Sequence, residues 1–530
     1  METLKKIAPI LLFILFVLLT LPGLEWGAPG SWNPDEIVFK VDWAFNGKMD
    51  YFDLKNFDYP SLPKYIMFGL GKIVYGLGYT TFDFILDARI LSVLLGGLIV
   101  ILTYYLAKRM NLAYPYVLLT GLLMVSAGIL VQNAHYAHND LYMLIFALLV
   151  IHALFSYIGG KNRLWFYAAT IFAGFSLSSK YNGIAVVPLV VFVYVLVENK
   201  ALLKDRLRTL ETLLISAVLT FSAYALGTPR AILDASFYFR NMLPAFFKHG
   251  AFGHRPDVPR GYIGQWSTII ETYGWLFFIL ASTTLVWVVV RLVQAYREKK
   301  WGQEESQVLI LFLFIALMDF PILFSYNYQG RFFLMLLPPL AVLITMMMRD
   351  VSKRWHIGVS RAAWVFVSLV IVVGFMRVGS TMLLFLNDAR IPASSYTSTF
   401  TKKAKVEVTL YPPNMAEEKK LRVRDYPIYI VKFIEQKPAP ESGFNLGEQG
   451  LIQRNVDYLI LDSFTYERFS DRFICENNQV ECDFFEDLFN GRSSYKLLKA
   501  FPAYELPWYM PQIRLDFVNP SIMIFQRDES

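Results

Sequence analysis

Two adjacent carboxylates, Asp35 and Glu36, follow the first hydrophobic stretch of the chain and are its first candidates for acid–base chemistry. A carboxylate that faces a cavity open to both lipid and water can take a proton from an attacking group. The run Asn33-Pro34-Asp35-Glu36 also fits a helix start, with a capping residue, proline in the first turn and acids near the positive end of the helix dipole. Both interpretations can hold together, so the pattern alone leaves catalysis open.

A third acid, Asp140, opens a later hydrophobic stretch, directly after His138 and Asn139. A charged side chain costs about 2.5–3.5 kcal/mol at the middle of a membrane span and less at its edge. Asp140 is therefore another helix cap or a partner in chemistry. The side chains of Asp35, His138 and Asp140 could also hold Mg²⁺ or Mn²⁺ through oxygen and nitrogen atoms.

Basic residues also occur where hydrophobic stretches end. Lys180, Arg230 and Arg331 each lie at such an end, and Arg255 and Arg260 lie in the polar segment between two stretches. Any one of them could simply extend its charged group to the membrane surface. Together they predict an anionic ligand, most simply a phosphate, which these cations could neutralise without a metal cofactor.

The composition predicts a protein that crosses a membrane many times. The 530 residues are 55% hydrophobic, with a mean hydropathy of +0.41. Apolar runs of about 18–22 residues recur along the chain and predict about eleven transmembrane helices. The predicted spans lie near 7–23, 86–107, 115–132, 139–158, 165–179, 181–198, 209–227, 270–294, 307–325, 331–348 and 362–386.

The charge pattern predicts the orientation of these spans. The net charge of +7 comes largely from basic residues in short connections, which excludes nucleic acid as the main partner. These residues fall in every second connection, and the positive-inside rule assigns those connections and the N-terminus to the cytoplasm. The long loops 24–85 and 228–269 then lie outside, and each should contain an amphipathic interfacial helix, one from Tyr65 and one from Phe237.

A separate domain is predicted after the last span, so that residues 1–386 form a transmembrane domain and residues 387–530 an extracytoplasmic α/β domain. Two cysteines, Cys475 and Cys482, would form a disulfide there or remain two thiols. The predicted strands are 406–408, 426–431, 458–461 and 522–525, with a helix at 483–489.

The order of these features resembles the polyprenol-phosphate-dependent glycosyltransferases of the GT-C class, in particular the protein O-mannosyltransferases and aminoarabinose transferases. The pair Asp35-Glu36 is similar to the acidic pair in the first outer loop of that family. The run Tyr59-Pro60-Ser61-Leu62-Pro63-Lys64 is similar to its His-Pro-Pro-Leu-Gly-Lys stretch, but differs at the first, third and fifth positions.

Later segments extend the resemblance over most of the chain. His138-Asn139-Asp140 is similar to the segment with the acid that opens the family's fourth span, and Arg331 with Pro338-Pro339 to the Arg-then-Pro segment of a late span. Asn387-Asp388-Ala389-Arg390 and residues 457–463 resemble segments that follow the last span in prokaryotic members.

The resemblance implies a GT-C fold in a prokaryotic plasma membrane. It implies an inverting transfer of a hexose or pentose from a polyprenyl monophosphate to a hydroxyl of a protein, lipid or glycan, on the extracytoplasmic side. Asp35 would be the base, Asp140 would orient it or the acceptor, and Glu36 would support the loop or share the base role. The donor phosphate would be bound by Lys64, Lys180, Arg230 and Arg331, and the remaining substrate groups by Tyr59, His138, Arg255 and Arg260.

Two other functions fit parts of the pattern. A transporter or flippase of lipid-linked sugars would share the groove and the basic residues, but it would not require paired acids in a long first loop. Many transporters contain inverted repeats, and none is evident here. A non-catalytic receptor or assembly factor would not need polar residues at so many span ends.

Overall fold

The computed structural model describes residues 2–46, 59–202, 205–248, 262–323, 329–428, 446–470 and 472–528. The chain divides into two compact units. The first comprises the described residues within 1–24, 35–250 and 257–381, and the second those within 25–34 and 382–530.

The described part of the first unit consists of helices and the turns between them. Two short 3-10 helices, Tyr181–Ala185 and Gly330–Leu336, precede α9 and α16. The helices are α1 (Glu2–Thr20), α2 (Ile37–Phe45), α3 (Leu62–Gly76), α4 (Thr81–Arg109), α5 (Tyr114–Val125), α6 (Gly128–Ala134), α7 (Asp140–Gly160), α8 (Arg163–Ser179), α9 (Val186–Leu202), α10 (Arg206–Gly227), α11 (Arg230–Leu233), α12 (Ala235–Lys248), α13 (Tyr262–Tyr273), α14 (Trp275–Arg297), α15 (Gln303–Leu323), α16 (Leu337–Arg354) and α17 (Ile357–Leu386).

Each predicted span overlaps at least one of these helices, but not all of these helices are long and apolar enough to cross a membrane. In the described part of the chain, seven helical segments are long and apolar enough to cross a membrane, or eight if α5 and α6 together form one bent span. These two helices meet at 55°, so the span predicted at 115–132 is broken. The predicted spans covered by α1, α8 and α15 are helical but lie outside that set; α8, for example, has only 17 residues.

Two glycines allow the close contacts that position the end of α8. A Cβ atom on Gly174 would lie 2.3 Å from the carbonyl oxygen of Thr220, so only glycine lets α8 approach α10 this closely. A Cβ atom on Gly183 would lie 2.4 Å from the carbonyl oxygen of Ser176. The chain therefore turns back tightly over the last turn of α8, and Lys180 lies in this turn.

The second unit contains a small sheet with helices on it. The strands are β1 (Lys405–Val408), β2 (Arg422–Asp425), β3 (Tyr458–Asp462), β4 (Tyr495–Phe501) and β5 (Ile522–Arg527), in the order β2-β1-β3-β5-β4. Strands β1, β2 and β3 are parallel, and β5 runs antiparallel to β3 and β4. The helices are α18 (Arg390–Tyr396), α19 (Gly447–Arg454), α20 (Ser463–Tyr466), α21 (Arg472–Asn477) and α22 (Gln479–Phe489).

The sheet is buried on both faces at its centre. Leu459 and Leu461 of β3 pack into one hydrophobic cluster, while Tyr458 and Ile460 pack into another on the opposite face. This explains why β3 is a continuous apolar run rather than an alternating one. The two cysteines form a disulfide that joins α21 to α22.

Three strand predictions are confirmed and one is wrong. Strands β1, β3 and β5 lie where they were predicted, and the predicted helix 483–489 lies within α22. The strand predicted at 426–431 is displaced: β2 ends at Asp425, residues 426–428 are not in a strand, and the rest of that segment lies outside the described residues. Strand β4 was missed because it is an edge strand with mostly exposed side chains, among them two lysines.

Trp26 and Trp32 pack against Asp388 and Arg390, which directly follow α17. The guanidinium of buried Arg390 pairs with Asp388 at 2.8 Å and lies 5.1 Å from the ring of Trp26 and 4.4 Å from that of Trp32. The indole of Trp26 donates a hydrogen bond to Asp388 at 2.9 Å. The segment 25–34 is thereby fixed to the rest of the second unit.

Candidate active site

Asp35 lies two residues before α2, and its side chain is 31% exposed. The helix begins at Ile37, so the interpretation of Asn33 as its N-cap is wrong. The backbone N–H of Ile37 donates instead to the carbonyl oxygen of Ala137 at 3.0 Å. This hydrogen bond joins the start of α2 to the turn that precedes α7 and brings Asp35 near His138.

Glu36 lies in the interior and is fully paired. Its Oε1 accepts hydrogen bonds from Nε of Arg89 at 3.0 Å and from the backbone N–H of Ala137 at 2.9 Å, and its Oε2 accepts one from the same guanidinium at 2.8 Å. Both charged side chains are 0% exposed. Of the two roles predicted for Glu36, this geometry favours support of the loop over proton transfer.

Arg89 is a buried partner of the candidate site that the sequence analysis missed. Its guanidinium also donates to the carbonyl oxygen of Leu24 at 2.8 Å, so one side chain of α4 holds both ends of the segment that leads to Asp35. The available signal was an arginine at the start of an apolar span, since charged residues within spans are costly and generally paired.

Arg331 connects Asp35 to His138. One terminal nitrogen of the guanidinium donates to Oδ2 of Asp35 at 2.6 Å, and the other lies 3.2 Å from Nε2 of His138. The arginine belongs to the 3-10 helix before α16, and its side chain is only 7% exposed. The hydroxyl of Tyr273 donates to the carbonyl oxygen of Phe333 at 2.9 Å and fixes that short helix to α13.

His138 and Lys180 enclose the carboxylate of Asp140 at the start of α7. Nδ1 of His138 lies 2.6 Å from Oδ2 of Asp140, and the Lys180 ammonium donates to Oδ1 at 2.5 Å. Burial lowers the pKa of His138, because the charged ring is poorly solvated there, and the ring is neutral at pH 7. The proton is assigned to Nδ1, facing Asp140, so that Nε2 accepts from Arg331.

Aromatic rings border this row of charged groups. The rings of Tyr59 and His138 meet edge to face with their centroids 5.3 Å apart. The Lys180 ammonium lies 6.0 Å from the ring of Tyr59 and 5.2 Å from that of Phe332. The Lys64 ammonium donates to the carbonyl oxygen of Tyr59 at 3.0 Å, so this buried lysine supports the aromatic border.

The other predicted substrate ligands do not join this group of contacts in the described residues. Arg230 opens α11, is 26% exposed and pairs at 3.9 Å with Asp234, which directly follows that helix. Arg255 and Arg260 lie outside the described residues. The residues that the structure joins are therefore Asp35, Arg331, His138, Asp140 and Lys180, which we call the Asp35 cluster.

The carboxylates of the Asp35 cluster are not arranged as metal ligands. Within the described ranges, no three side chains of His, Cys, Asp or Glu come together in a way that could hold one ion. Asp35 faces Arg331 and Asp140 faces Lys180, so a cation of the protein already neutralises each carboxylate. The predicted Mg²⁺ or Mn²⁺ site at Asp35, His138 and Asp140 does not fit this arrangement.

The Asp35 cluster offers a base and two cations. Asp35 at its open end can accept a proton, while Arg331 and Lys180 can bind an anion that competes with their carboxylate partners. Because these two cations are buried, their interaction with such an anion would be stronger than at a water-exposed surface.

The fold matches that of a protein with solved crystal structures. The chain has the fold of ArnT from Cupriavidus metallidurans, in the crystal structures of its apo state and of its complex with undecaprenyl phosphate. Each match has a TM-score of 0.50 over 99% of this chain and 97% of that chain, with 14% and 13% sequence identity, respectively. The predicted fold class, a polytopic GT-C membrane fold with a C-terminal α/β domain, is confirmed.

A family match agrees with this fold. Residues 72–239 match the model of the family described as dolichyl-phosphate-mannose-protein mannosyltransferase, which confirms the predicted resemblance. That segment includes His138, Asp140 and Lys180, while Asp35 and Arg331 lie outside it. No curated protein sequence gives a significant match.

Proposed function

We propose that this protein is an inverting glycosyltransferase that takes a sugar from a polyprenyl monophosphate and transfers it to an acceptor hydroxyl outside the cytoplasm. The observation that carries this proposal is the Asp35 cluster, in which a carboxylate exposed at one end is joined to buried cations. The family match and the fold shared with ArnT support it, since one of those crystal structures contains undecaprenyl phosphate.

The proposed reaction is a single displacement. Asp35 takes the proton of the acceptor hydroxyl while its oxygen bonds to the anomeric carbon. The bond between that carbon and the phosphate oxygen breaks on the opposite side, and the polyprenyl phosphate leaves with the electron pair. A well-placed general base contributes about 10²–10⁴-fold to such a step.

Donor binding and base activation are coupled in this proposal. In the 2.6 Å contact, the guanidinium of Arg331 occupies Oδ2 of Asp35. A donor phosphate that attracts this guanidinium would weaken the contact, so that Oδ2 can accept the proton of the acceptor hydroxyl. Arg331 and Lys180 would then stabilise the charge that grows on the leaving phosphate.

The remaining residues have supporting roles. Asp140 holds Lys180 directly and orients Arg331 through His138, and the Glu36–Arg89 pair fixes the loop before Asp35. The ring of Tyr59 would border the sugar. Two sets of predicted ligands keep their proposed roles: Lys64 and Arg230 near the donor phosphate, and Arg255 and Arg260 on the other substrate groups.

Replacement of the base tests the proposal. In proteoliposomes that contain radiolabelled undecaprenyl-phosphate sugars and candidate hydroxyl acceptors, Asp35→Asn should lower the rate of transfer by about 10²-fold or more. Donor retention on the protein should stay near that of the wild type. Asp83→Asn is the matched control, because it changes an acid in the first turn of α4, away from the Asp35 cluster.

Two outcomes would contradict the proposal. Full transfer by Asp35→Asn would remove Asp35 as the base. Movement of the labelled lipid across the vesicle membrane without consumption of the sugar would favour the transporter or flippase instead. The same transfer assay with EDTA shows whether a divalent cation is needed, and we expect the rate to persist.

A further inference from the structure

The connection between β4 and β5 is longer than the strands require. These strands are antiparallel neighbours, and residues 502–521 join them. About two to five residues are enough for such a connection, and much longer loops without regular structure commonly bind something. We refer to residues 502–521 as the β4–β5 loop.

Side-chain amides hold the β4–β5 loop in a defined shape. Asn519 accepts from the backbone N–H of Tyr504 and donates to its carbonyl oxygen, both at 2.9 Å, so the two ends of the loop are fastened together. The amide nitrogen of Gln512 lies 3.1–3.4 Å from the carbonyl oxygens of Leu506, Pro507 and Met510. This amide closes the tip of the loop from within.

The closed tip presents two large aromatic side chains to the surroundings. Trp508 is 90% exposed and Tyr509 is 60% exposed. Their rings stand nearly perpendicular, at 87°, with centroids 5.8 Å apart. Exposed aromatic residues on a fixed loop are unfavourable in water, so this arrangement indicates a contact surface.

A cavity of about 790 Å³ lies beside this tip, between the β4–β5 loop and the segment after β3. Trp508 and Phe464 supply apolar surface, while Glu467, Glu505 and Arg514 supply charge. The guanidinium of Arg514 lies 3.6 Å from the carboxylate of Glu467 and 5.9 Å from the ring of Phe464. These charged groups remain exposed and can hydrogen-bond to a ligand.

We infer that this cavity binds a saccharide. A sugar ring has an apolar face of C–H groups and an edge of hydroxyls. The aromatic rings of the cavity can pack against the apolar face of the sugar, and the carboxylates and guanidinium can hydrogen-bond to its hydroxyls. The volume falls within the range of about 300–1,000 Å³ that small-molecule sites occupy.

A bilayer surface is a less suitable partner for the same residues. Exposed tryptophan and tyrosine are common at membrane interfaces. However, this site is concave, and Glu467 and Glu505 would repel anionic lipid headgroups. A saccharide and a bilayer surface would give different experimental results, so the experiment below tests both.

The site also suggests an acceptor. If the acceptor of the proposed transferase carries a glycan, the cavity would hold that glycan, and this role rests on the proposed function. Saccharide binding itself does not depend on transfer, because it can be measured without a donor and in the inactive Asp35→Asn protein.

The test uses the full chain in nanodiscs, so that no sugar-containing detergent competes. Binding of a panel of free di- to tetrasaccharides, made of hexoses and N-acetylhexosamines, is followed by saturation-transfer NMR. We expect binding by the wild type and by Asp35→Asn, and a loss of at least about tenfold in affinity with Trp508→Ala. Glu505→Gln should weaken binding of the same saccharides, while Trp355→Ala, which removes another exposed tryptophan, should not.

Three results would overturn the inference. The first is that no saccharide of the panel binds to the wild type. The second is that Trp508→Ala and Glu505→Gln both bind as well as the wild type. The third is that brominated lipids quench tryptophan fluorescence more in the wild type than in Trp508→Phe, which would place this residue in the bilayer surface. Saccharide binding by a wild-type protein that shows no sugar transfer would instead count against the proposed function alone.

Discussion

Two charged clusters of the helical unit use the same chemical groups in different arrangements. In the Asp35 cluster, the contacts run in single file from Asp35 to Lys180. In the second, two acids each contact two arginines. We call it the Arg291 cluster, and it consists of Arg291, Glu304, Glu305, Arg349 and Asp350.

The Arg291 cluster has several partners for each charge. Arg291 of α14 contacts both acids in the first turn of α15 and, at 3.0 Å, Asp350 of α16. Arg349 binds Glu304 at 2.6 Å and Asp350 at 2.8 Å. Because Glu304 and Asp350 are each shared between two guanidinium groups, the cluster fastens three helices together.

The comparison shows that burial alone does not distinguish a functional charge from a structural one. Asp35 at 31% and Glu304 at 34% are similarly exposed, but Asp35 pairs with Arg331, whereas Glu304 is held by both Arg291 and Arg349. A ligand anion can compete with single contacts in a row more easily than with shared, bidentate ones. Arg331 and Arg349 also lie near opposite ends of the Gly330–Arg354 segment, roughly 27 Å apart along the helix axis.

The strongest test of this contrast is a matched pair of arginine variants. We expect Arg331→Gln to lower the rate of sugar transfer by about 10²–10³-fold, because it removes a buried donor from the leaving phosphate. We expect Arg349→Gln to leave that rate within a few-fold of the wild type. Initial rates in proteoliposomes check both variants, and equal loss of activity would show that the two clusters do not differ in function.

The sequence predicted the members of the Asp35 cluster better than their connections. Asp35, His138, Asp140, Lys180 and Arg331 were all identified, because polar residues at the ends of apolar spans are costly and conspicuous. The pairing of Asp35 with Arg331 could not be predicted, since these residues are far apart in sequence and their contact depends on helix packing. The role of Glu36 as a buried partner of Arg89 was left open for the same reason.

The Arg291 cluster gave a weaker signal in the sequence. Arg291 lies near the end of the predicted span 270–294, and the other residues lie among the basic and acidic residues of short connections, where charges are usually solvated and predict only orientation. The fold shows the same division: long apolar helices and central strands were predicted, whereas exposed edge strand β4 and the bend between α5 and α6 were not. Both of the latter depend on tertiary contacts rather than on local periodicity.

A second test addresses the structural role of the Arg291 cluster. Arg291→Met leaves Glu304, Glu305 and Asp350 close together with one fewer cation, so the helical unit should lose stability by about 1–3 kcal/mol. The midpoint of thermal unfolding in nanodiscs should fall, while the transfer rate at lower temperature stays near that of the wild type. Arg297→Met, at the end of the same helix, is the control and should leave both quantities unchanged. An unchanged unfolding midpoint for Arg291→Met would mean that the ion pairs of Arg291 contribute little to stability.

The smallest expected effect concerns the neutral histidine in the Asp35 cluster. Because burial lowers the pKa of His138, the unfolded chain takes up a proton below about pH 6.5 more readily than the folded protein, and this residue therefore makes stability fall as the pH falls. His138→Gln removes this contribution, so its unfolding midpoint should decline less between pH 7 and pH 5 than that of the wild type. Both proteins keep buried His135, whose pKa is also lowered by burial, so the difference reports on His138. Equal declines of the unfolding midpoint in the two proteins would show that the ring of His138 is already charged at pH 7. Arg331 and Asp140 would then not be linked through a neutral imidazole.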